Sequence, residues 1–410
     1  MLLGIIVLIV AVILIINNTG IIDSIQTRIS NFSADNEELV DEESSESSGD
    51  NEESVVETTI EDGDYDEENK VTWHVEEDGS MCPIPDGYVG SQVEGEDSIS
   101  TGYVIYEGTD EVTDGNVTTA KISRNQYVWI PVEDPSELYG IDENGKKWGK
   151  LYSFSTTSGI TARNWTESSS GIISISSNTG TREPDVLTSG SYDSDNYLQS
   201  YLSILGISSR HEFLIQLEEE FNNMIESVEK YGGFYIGRYE TGNVSQDIAV
   251  EVQGNTDIVY TTWYNSYKLC KTLKGNNENI ETGLIWGCQW DRTLIWLIES
   301  GNKTIAEITD SRTWGNYSNS TGNAATGSGS RRSTGYSEYW KASNIYDLAG
   351  NVSEWTMEAN STNCRANIAG DYYSGGSSST YPVSYKGYFN PTFNTGAGRL
   401  SSNALYKMIF

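Results

Sequence analysis

Very few side chains in this sequence have the types and spacing that enzymes use for metal binding or nucleophilic catalysis. The chain has only two histidines, His74 and His211, so a zinc centre with three histidine ligands is excluded. It has four cysteines, and no two of them form a Cys-x-x-Cys pair: Cys82, Cys270, Cys288 and Cys364. We expect Cys270 and Cys288 to be small buried apolar residues, since an isolated buried thiol is usually inert.

The charge of the chain excludes a further class of function. Its 410 residues include 25 basic and 60 acidic ones, which gives a net charge of −35. Binding to a nucleic-acid backbone requires clustered Lys and Arg side chains that displace counterions, and the sequence has no long basic run. We therefore expect no nucleic-acid partner.

A turn near residue 350 carries a set of oxygen atoms that could bind a metal. Ala349-Gly350-Asn351 separates two apolar runs, and glycine readily adopts the positive φ that such a turn needs. We expect a hairpin here, with Trp355 anchored in the core. The carbonyl groups of Gly350 and Val352, together with the Glu354 carboxylate, would form an all-oxygen site of the kind that suits Ca²⁺.

The same turn lies in a motif that is similar to a family signature. Residues 344–356 read NIYDLAGNVSEWT, which resembles the "N-x-[FY]-D-[LM]-x-G-N-V-x-E-W" signature of the formylglycine-generating enzyme (sulfatase-modifying factor) family. QYVWIPVE, GGFYIGRYETG and GLIWGCQWDRTLIWL resemble further family segments in the same order. The resemblance covers about residues 85–410. It implies a C-type-lectin-like fold and a calcium ion held by Gly350, Val352 and Glu354.

The chemistry of that family is not expected here. Its aerobic members oxidise a substrate cysteine with copper held by a cysteine pair in the C-terminal segment. Residues 365–410 of this chain contain no cysteine, and Ile368-Ala369-Gly370-Asp371 replaces the family's RGGS-like step. Because soft thiolates are needed to hold Cu(I), we consider copper unsuited to this chain and expect a non-catalytic protein.

The C-terminal segment instead has the composition of a recognition surface. Tyrosine gives rigid contact area with a polar tip, while Ser, Gly and Asn give adaptable hydrogen bonds. We expect a protein or glycan ligand to bind residues of this segment: Asp371, Tyr372, Tyr373, Tyr381, Tyr385 and Tyr388. The alternative is that these are ordinary loop residues covering a thin core.

The pattern of the body predicts an α+β fold. Short runs rich in aromatic and β-branched residues predict strands at 102–106, 126–132 and 233–239. Apolar residues at helical spacing predict helices at 210–231 and 289–300, and a shorter one at 263–273. Residues 153–196 and 311–337 have the composition of long surface loops. With the family resemblance, this indicates an irregular domain with a small antiparallel sheet flanked by two helices.

The beginning of the chain predicts a membrane anchor. Residues 2–16 are all apolar, and continuing to residue 22 gives a helix of about 31 Å, enough for a hydrocarbon core of about 30 Å. A cleaved signal peptide fits less well, because no Lys or Arg precedes the run. Arg28 alone favours a cytoplasmic body, but it is a single charge. We expect a single-pass membrane protein with residues 1–22 as a transmembrane or pilin-like helix and an extracellular body.

An acidic tract follows the anchor. Residues 34–69 contain 17 acidic residues and no basic ones, so the segment repels itself and has little apolar surface to bury. We expect residues 23–79 to be a disordered linker that holds a domain spanning 80–410 away from the membrane.

Three functional hypotheses remain open at this point. The first is a membrane-anchored, non-catalytic recognition protein built on a formylglycine-generating-enzyme-like domain. The second is an oxidoreductase of the sulfatase-modifying-factor type that acts on a cysteine substrate. The third is a pilus-like or envelope structural subunit whose N-terminal helices pack together.

Overall fold

The computed structural model describes residues 60–162, 165–167, 173–175, 196–245, 248–255, 261–361, 364–369, 381–389, 403–405 and 407–409. The second of two structural units spans Asp62–Phe410, and all elements below belong to it. The predicted anchor, residues 1–22, lies outside the described residues. Within the described part of the chain, no helix is both long and apolar enough to cross a membrane.

The described residues form a mixed α+β structure with six helices. The helices are α1 (Val117–Ser123), α2 (Asn196–Leu205), α3 (Arg210–Tyr231), α4 (Trp263–Cys270), α5 (Gly287–Glu299) and α6 (Ile305–Thr309). The prediction for 210–231 is confirmed, and the predictions for 289–300 and 263–273 are confirmed with shifted ends.

Local sequence explains where the longest helix begins and ends. The Ser209 hydroxyl accepts a hydrogen bond from the Glu212 backbone N–H at the start of α3. At its end Gly232 adopts φ 77°, which allows its N–H to bond the Val228 carbonyl. These caps fix the 22-residue helix to the length that its apolar stripe predicts.

Short strands supply the remaining regular structure. The strands are β1 (Tyr65–Asp66), β2 (Val71–Val75), β3 (Met81–Pro85), β4 (Tyr88–Gly90), β5 (Val104–Glu107), β6 (Gln126–Pro131), β7 (Tyr139–Ile141), β8 (Lys147–Gly149), β9 (Tyr152–Ser155), β10 (Gly159–Ala162), β11 (Trp165–Glu167), β12 (Ile173–Ile175), β13 (Gly233–Gly237), β14 (Gly242–Ser245), β15 (Ile248–Val250), β16 (Thr282–Leu284), β17 (Lys341–Ala342), β18 (Ile345–Tyr346), β19 (Ser353–Ser361), β20 (Cys364–Ala369), β21 (Tyr385–Phe389), β22 (Asn403–Leu405) and β23 (Lys407–Ile409).

The largest sheet has six antiparallel strands in the order β16-β23-β13-β6-β5-β4. Its neighbouring strands β5, β6 and β13 are the three strands that the sequence predicts. Tyr235 of β13 lies opposite Trp129 of β6, and the two rings are 4.9 Å apart. Aromatic cross-strand pairs of this kind stabilise a sheet and fix its register.

A four-stranded sheet carries the end of the signature motif. Its order is β21-β20-β19-β22, antiparallel except for the parallel pair β19 and β22. The other described sheets are small: β1-β2-β3 has three strands, and the rest are pairs. The predicted antiparallel sheet is therefore one of several.

Buried aromatic and aliphatic side chains join the helices to the sheets. The apolar stripe of α3 is buried at Phe213, Leu217, Phe221, Met224, Ile225 and Val228. Trp290, Leu294 and Leu297 of α5 are also fully buried. Phe221 meets Trp286 edge to face at 4.9 Å, so α3 and the start of α5 pack in one core.

The predicted linker, 23–79, extends too far along the chain. The folded unit begins at Asp62, and β1 and β2 pair with each other and with β3. Val71 and Trp73 alternate with more exposed residues in β2 and are buried, and the Trp73 ring lies 6.2 Å from that of Tyr231. The acidic composition on either side conceals this alternation. Residues 62–79 belong to the body, and the predicted boundary at residue 80 is wrong.

Two further predictions need correction. The turn at residue 350 does not close a hairpin, because β18 pairs with β17 and β19 pairs with β20 and β22. The predicted loop 153–196 contains the paired strands β9 and β10, which the Ser- and Thr-rich composition did not indicate. The predicted loop 311–337 is confirmed, apart from a short 3-10 turn at Gly322–Ala325.

Candidate functional site

The signature turn, residues 347–352, is built on backbone conformations that few residues adopt. Gly350 has φ 82° and forms a bridge to Asn316. A Cβ atom on Gly350 would lie 2.4 Å from the Asn316 carbonyl oxygen, so only glycine fits this approach. Asn351 and Asp347 also have positive φ, at 61° and 58°. Asparagine and aspartate tolerate this region better than other side chains do.

The Asn351 side chain holds the turn to a second segment of the chain. Its Oδ1 accepts hydrogen bonds from Asn316 Nδ2 and from the Arg332 backbone N–H, both at 2.9 Å. Its Nδ2 donates to the Glu240 carboxylate and to the Arg332 carbonyl. Asn351 is fully buried, so these contacts replace all of its bonds to water. The turn and the 316–335 segment therefore form one rigid unit.

Glu240 and Asp347 complete the polar interior of the turn. Glu240 Oε1 accepts from the Val352 N–H at 3.2 Å. Asp347 Oδ2 accepts from the Gly335 N–H at 2.7 Å and from the Thr334 hydroxyl at 3.1 Å. Burial raises the pKa of Asp347 to about 7, although these two hydrogen bonds act to lower it. No cation contacts this carboxyl group within the described residues.

The three residues predicted to bind calcium lie within or directly after this turn. The Glu354 side chain is fully buried in β19, and Val352 is also buried. A carboxylate and two backbone carbonyls are hard oxygen donors, so their chemistry fits Ca²⁺. Among the described residues, no three His, Cys, Asp or Glu side chains converge on one point. Because the predicted site depends on backbone carbonyls, that observation does not test it, and the calcium site stays a prediction.

Trp355 has the structural role that the sequence predicts. It is fully buried, and its indole N–H donates to the Thr261 carbonyl at 3.1 Å. In return, the indole N–H of Trp263 donates to the Thr356 carbonyl at 2.8 Å. The two tryptophans thereby connect α4 to β19 and fix the strand that follows the signature turn.

The predicted ligand-binding tyrosines are described only in part. Asp371, Tyr372 and Tyr373 lie outside the described residues, and Tyr388 is described only as part of the β21 backbone. Tyr381 and Tyr385 are half-buried, and their rings meet edge to face at 5.0 Å. The structure therefore brings two of the six residues together.

Buried contacts fix the loop that presents Tyr381 and Tyr385. Val383 is fully buried, its N–H donates to the Ser311 hydroxyl, and its carbonyl accepts from the Trp290 indole at 3.2 Å. The Tyr317 hydroxyl donates to the Tyr381 carbonyl at 3.1 Å. The loop is thus attached to α5 and to the 311–317 segment.

Sequence reasoning missed a more exposed pair of tyrosines, Tyr336 and Tyr339. Their exposed fractions are 53% and 51%, while the adjacent Trp340 is fully buried. The Arg332 guanidinium lies 4.9 Å from the Tyr336 ring centre, within the range of a cation–π contact. The available signal was three aromatic residues within five positions of a segment otherwise rich in Ser, Thr and Gly.

The thiols that the structure describes are in the core. Cys82, Cys270 and Cys288 are all fully buried, and burial raises the pKa of the Cys82 thiol well above its usual range. Burial of Cys270 and Cys288 agrees with the prediction that they are small apolar residues. The side chain of Cys364 lies outside the described residues.

No protein-family model matches the chain, and no curated protein matches its sequence significantly.

Proposed function

We propose that this protein is a membrane-anchored, non-catalytic recognition protein, and that its body is a formylglycine-generating-enzyme-like domain with a C-type-lectin-like fold. The ligand we propose is a glycan or a protein surface, bound by tyrosine side chains. The membrane anchor is residues 1–22, and the body lies outside the cell.

The observation that carries the proposal is the exposed tyrosine pair on a rigid frame. Tyr336 and Tyr339 lie on either side of Glu338, which accepts hydrogen bonds from Tyr346 at 2.7 Å and Lys341 at 2.8 Å. A tyrosine ring held in place binds a flat apolar face at low entropic cost, and its hydroxyl adds a directed hydrogen bond. Sugar rings and protein surfaces both offer such faces.

The second tyrosine pair supports the same proposal. Tyr381 and Tyr385 are partly exposed on a loop whose carbonyl groups are bonded to α5 and Tyr317. Tyr317 belongs to the same 316–335 segment that Asn351 fixes to the signature turn. Both tyrosine pairs are therefore attached to one buried hydrogen-bonded frame.

A glycan array probed with the purified body, residues 62–410, tests this proposal. We expect selective binding that is reduced at least tenfold by Tyr336→Ala combined with Tyr339→Ala, because such anchor residues each contribute about 1 kcal/mol or more. Tyr65→Ala is the matched control, since Tyr65 is 44% exposed but lies in β1. Equal loss in the control variant, or no loss in the double variant, would contradict the assignment of the surface.

The non-catalytic part of the proposal has its own test. The body is incubated with a Cys-x-Pro-x-Arg peptide, copper and a reductant, and the peptide is then weighed by mass spectrometry. We expect the cysteine to remain unchanged, because residues 365–410 supply no pair of thiolates. Formation of an aldehyde would support the oxidoreductase alternative instead.

We also propose that Ca²⁺ binds at Gly350, Val352 and Glu354. Isothermal calorimetry with Ca²⁺ is compared between the wild-type body and Glu354→Gln, which keeps the shape of the side chain and removes its charge. We expect the heat of binding to disappear in the variant, because a hard cation requires anionic oxygen. Equal heats from both proteins would remove the site.

A further inference from the structure

A buried lysine is in contact with two carboxylates directly after the loop that carries Tyr381 and Tyr385. This lysine cluster consists of Lys386 on β21, Asp291 on α5 and Glu358 on β19. The Lys386 Nζ lies 2.9 Å from Asp291 Oδ2 and 2.5 Å from Glu358 Oε2. The lysine side chain is 3% exposed, and both carboxylates are fully buried.

The three charged groups of this cluster have all been removed from water. Desolvation of charged side chains is costly, and their mutual attraction recovers that cost only partly. A reaction that removes one positive and one negative charge together would therefore leave one buried charge among these three groups instead of three. Condensation of the amine with a carboxylate is such a reaction.

We propose that Lys386 and Asp291 condense to form an intramolecular isopeptide bond, and that Glu358 carries the protons. The reaction converts one ammonium and one carboxylate into an amide and one water molecule, so no oxidant, reductant or cofactor is consumed. The cluster has a net charge of −1 before and after the reaction, because Glu358 ends as a carboxylate. The proposal is independent of the function proposed above.

The geometry assigns a role to each group. Glu358 Oε2, at 2.5 Å, takes a proton from the Lys386 ammonium and leaves a neutral amine. The nitrogen then attacks Cγ of Asp291, and the C–O bond to Oδ1 breaks as Glu358 delivers protons to that oxygen. Oδ1 of Asp291 leaves as water together with two protons that came from Nζ.

A backbone donor distinguishes Asp291 from Glu358 as the acylated group. The Tyr152 N–H donates to Asp291 Oδ2 at 2.7 Å. A fixed N–H in this position stabilises the negative charge that develops on the oxygen when the amine adds to the carbonyl carbon. Glu358 has the shorter contact to Nζ, which suits a proton carrier.

The product would fasten the tyrosine loop to the core. Asp291 lies next to Trp290, whose indole bonds the Val383 carbonyl, so the bond would add a second attachment between the loop and α5, at Lys386. The new amide N–H would remain beside Glu358 and could donate to it. A cross-link between residues 291 and 386 also restricts the unfolded chain, as a disulfide of similar span does.

Mass spectrometry of the full-length protein tests the proposal. We expect the wild-type protein to be lighter than its sequence by the mass of one water molecule. Trypsin does not cleave after an acylated lysine, so peptide 366–399 should remain whole and joined to peptide 275–292. A wild-type mass equal to that of the sequence, with cleavage after Lys386, would overturn the proposal. A bond from Lys386 to Glu358 would overturn it as well.

Two variants and an internal control complete the experiment. Lys386→Arg keeps the positive charge but cannot be acylated under these conditions, so its mass should match its sequence. Glu358→Gln keeps both reacting groups and should lose the cross-link; full cross-linking in this variant would overturn the role of Glu358. Lys341 and Glu338 are 2.8 Å apart in an exposed pair, and their peptides should separate normally in every sample. The wild-type digest decides the main point even if a variant fails to fold.

Discussion

The lysine cluster and a second ion cluster, formed by Arg238, Glu96 and Lys121, both place charged side chains in the core, but with different combinations of cations and anions. Arg238 is fully buried and lies 2.6 Å from Glu96, and Lys121 lies 2.8 Å from the same carboxylate. In this arginine cluster two cations surround one anion, whereas in the lysine cluster two anions surround one cation. The arginine cluster also receives hydrogen bonds from Tyr106 and Ser91 to Glu96.

The difference shows what a buried charge needs in order to persist. A guanidinium group is delocalised, stays protonated and is too poor a nucleophile to react with a carboxylate. The Arg238 guanidinium also lies 5.6 Å from the Tyr239 ring and 5.7 Å from the Tyr346 ring, which provides a further favourable contact. An amine has a compact charge and a lone pair once it loses a proton. The arginine cluster is built to remain ionic, and the lysine cluster is built in a way that allows a reaction.

Breaking the arginine cluster should have the largest effect on stability. Arg238→Met removes the fully buried cation beside Glu96 and leaves it with the partly exposed Lys121 and two neutral hydroxyl groups, so we expect a loss of about 5 kcal/mol in the free energy of unfolding. Urea denaturation of the body measures it. Lys341→Met is the control for an exposed ion pair and should cost less than about 1 kcal/mol. Similar losses in the two variants would show that burial does not determine how much an ion pair contributes to the free energy of unfolding.

Asp347 gives the comparison a third case, a buried carboxyl group with no cation beside it in the described structure. Burial raises the pKa of Asp347 from 3.8 to about 7. The protonated carboxyl group therefore makes its full contribution to the free energy of unfolding below pH 3.8, and this contribution is lost as the pH rises through about 7. Asp347→Asn keeps an acceptor for Gly335 and Thr334. We expect the variant to gain up to about 4 kcal/mol relative to wild type at pH 8.

The measurement for Asp347 is the difference in unfolding free energy between the two proteins at pH 4 and at pH 8. At pH 4 the wild-type carboxyl group is mostly protonated, so the two proteins should be nearly equal. A difference that does not change with pH would contradict the effect of burial on this group.

Glu96 should show the opposite dependence on pH. Burial opposes its ionisation, but the attraction of Arg238 and hydrogen bonds from Arg238, Lys121 and Tyr106 outweigh it and lower the pKa of Glu96 to about 2. The stability it contributes is complete above pH 4.5 and is lost as the pH falls through about 2. We expect Glu96→Gln to cost about 3 kcal/mol at pH 7 and much less at pH 2. Denaturation curves at the two pH values check this, and a constant cost would contradict it.

Sequence patterns predicted the parts of this molecule that depend on neighbouring residues. Phe213 to Val228 repeat at helical spacing, and the turn at Gly350 and the burial of Trp355 follow from residues a few positions apart. The strands β5, β6 and β13 were predicted for the same reason, from short local runs of aromatic and β-branched residues. In each case the local pattern and the packed structure agree.

Two of the missed contacts join residues that are far apart in the chain. Asp291 and Lys386 are separated by 95 positions, and Glu240 and Asn351 by 111, so no periodicity connects them. The strands β1 and β2 were missed because an acidic tract surrounds Val71 and Trp73. Tyr336 and Tyr339 were missed although three aromatic residues stand within positions 336–340, because the preceding residues have the Ser-, Thr- and Gly-rich composition of a surface loop. Only the folded chain shows which of these side chains meet.

The largest sheet contains the last described strand in chain order at an interior position. Strand β23 lies between β13 and β16, so those two strands have no direct contact with each other in the sheet. During synthesis, every earlier element emerges from the ribosome before the strand that connects this pair. Assembly of the sheet therefore waits for residues 407–409, and a translation product interrupted before them would expose two unpaired edges that favour aggregation.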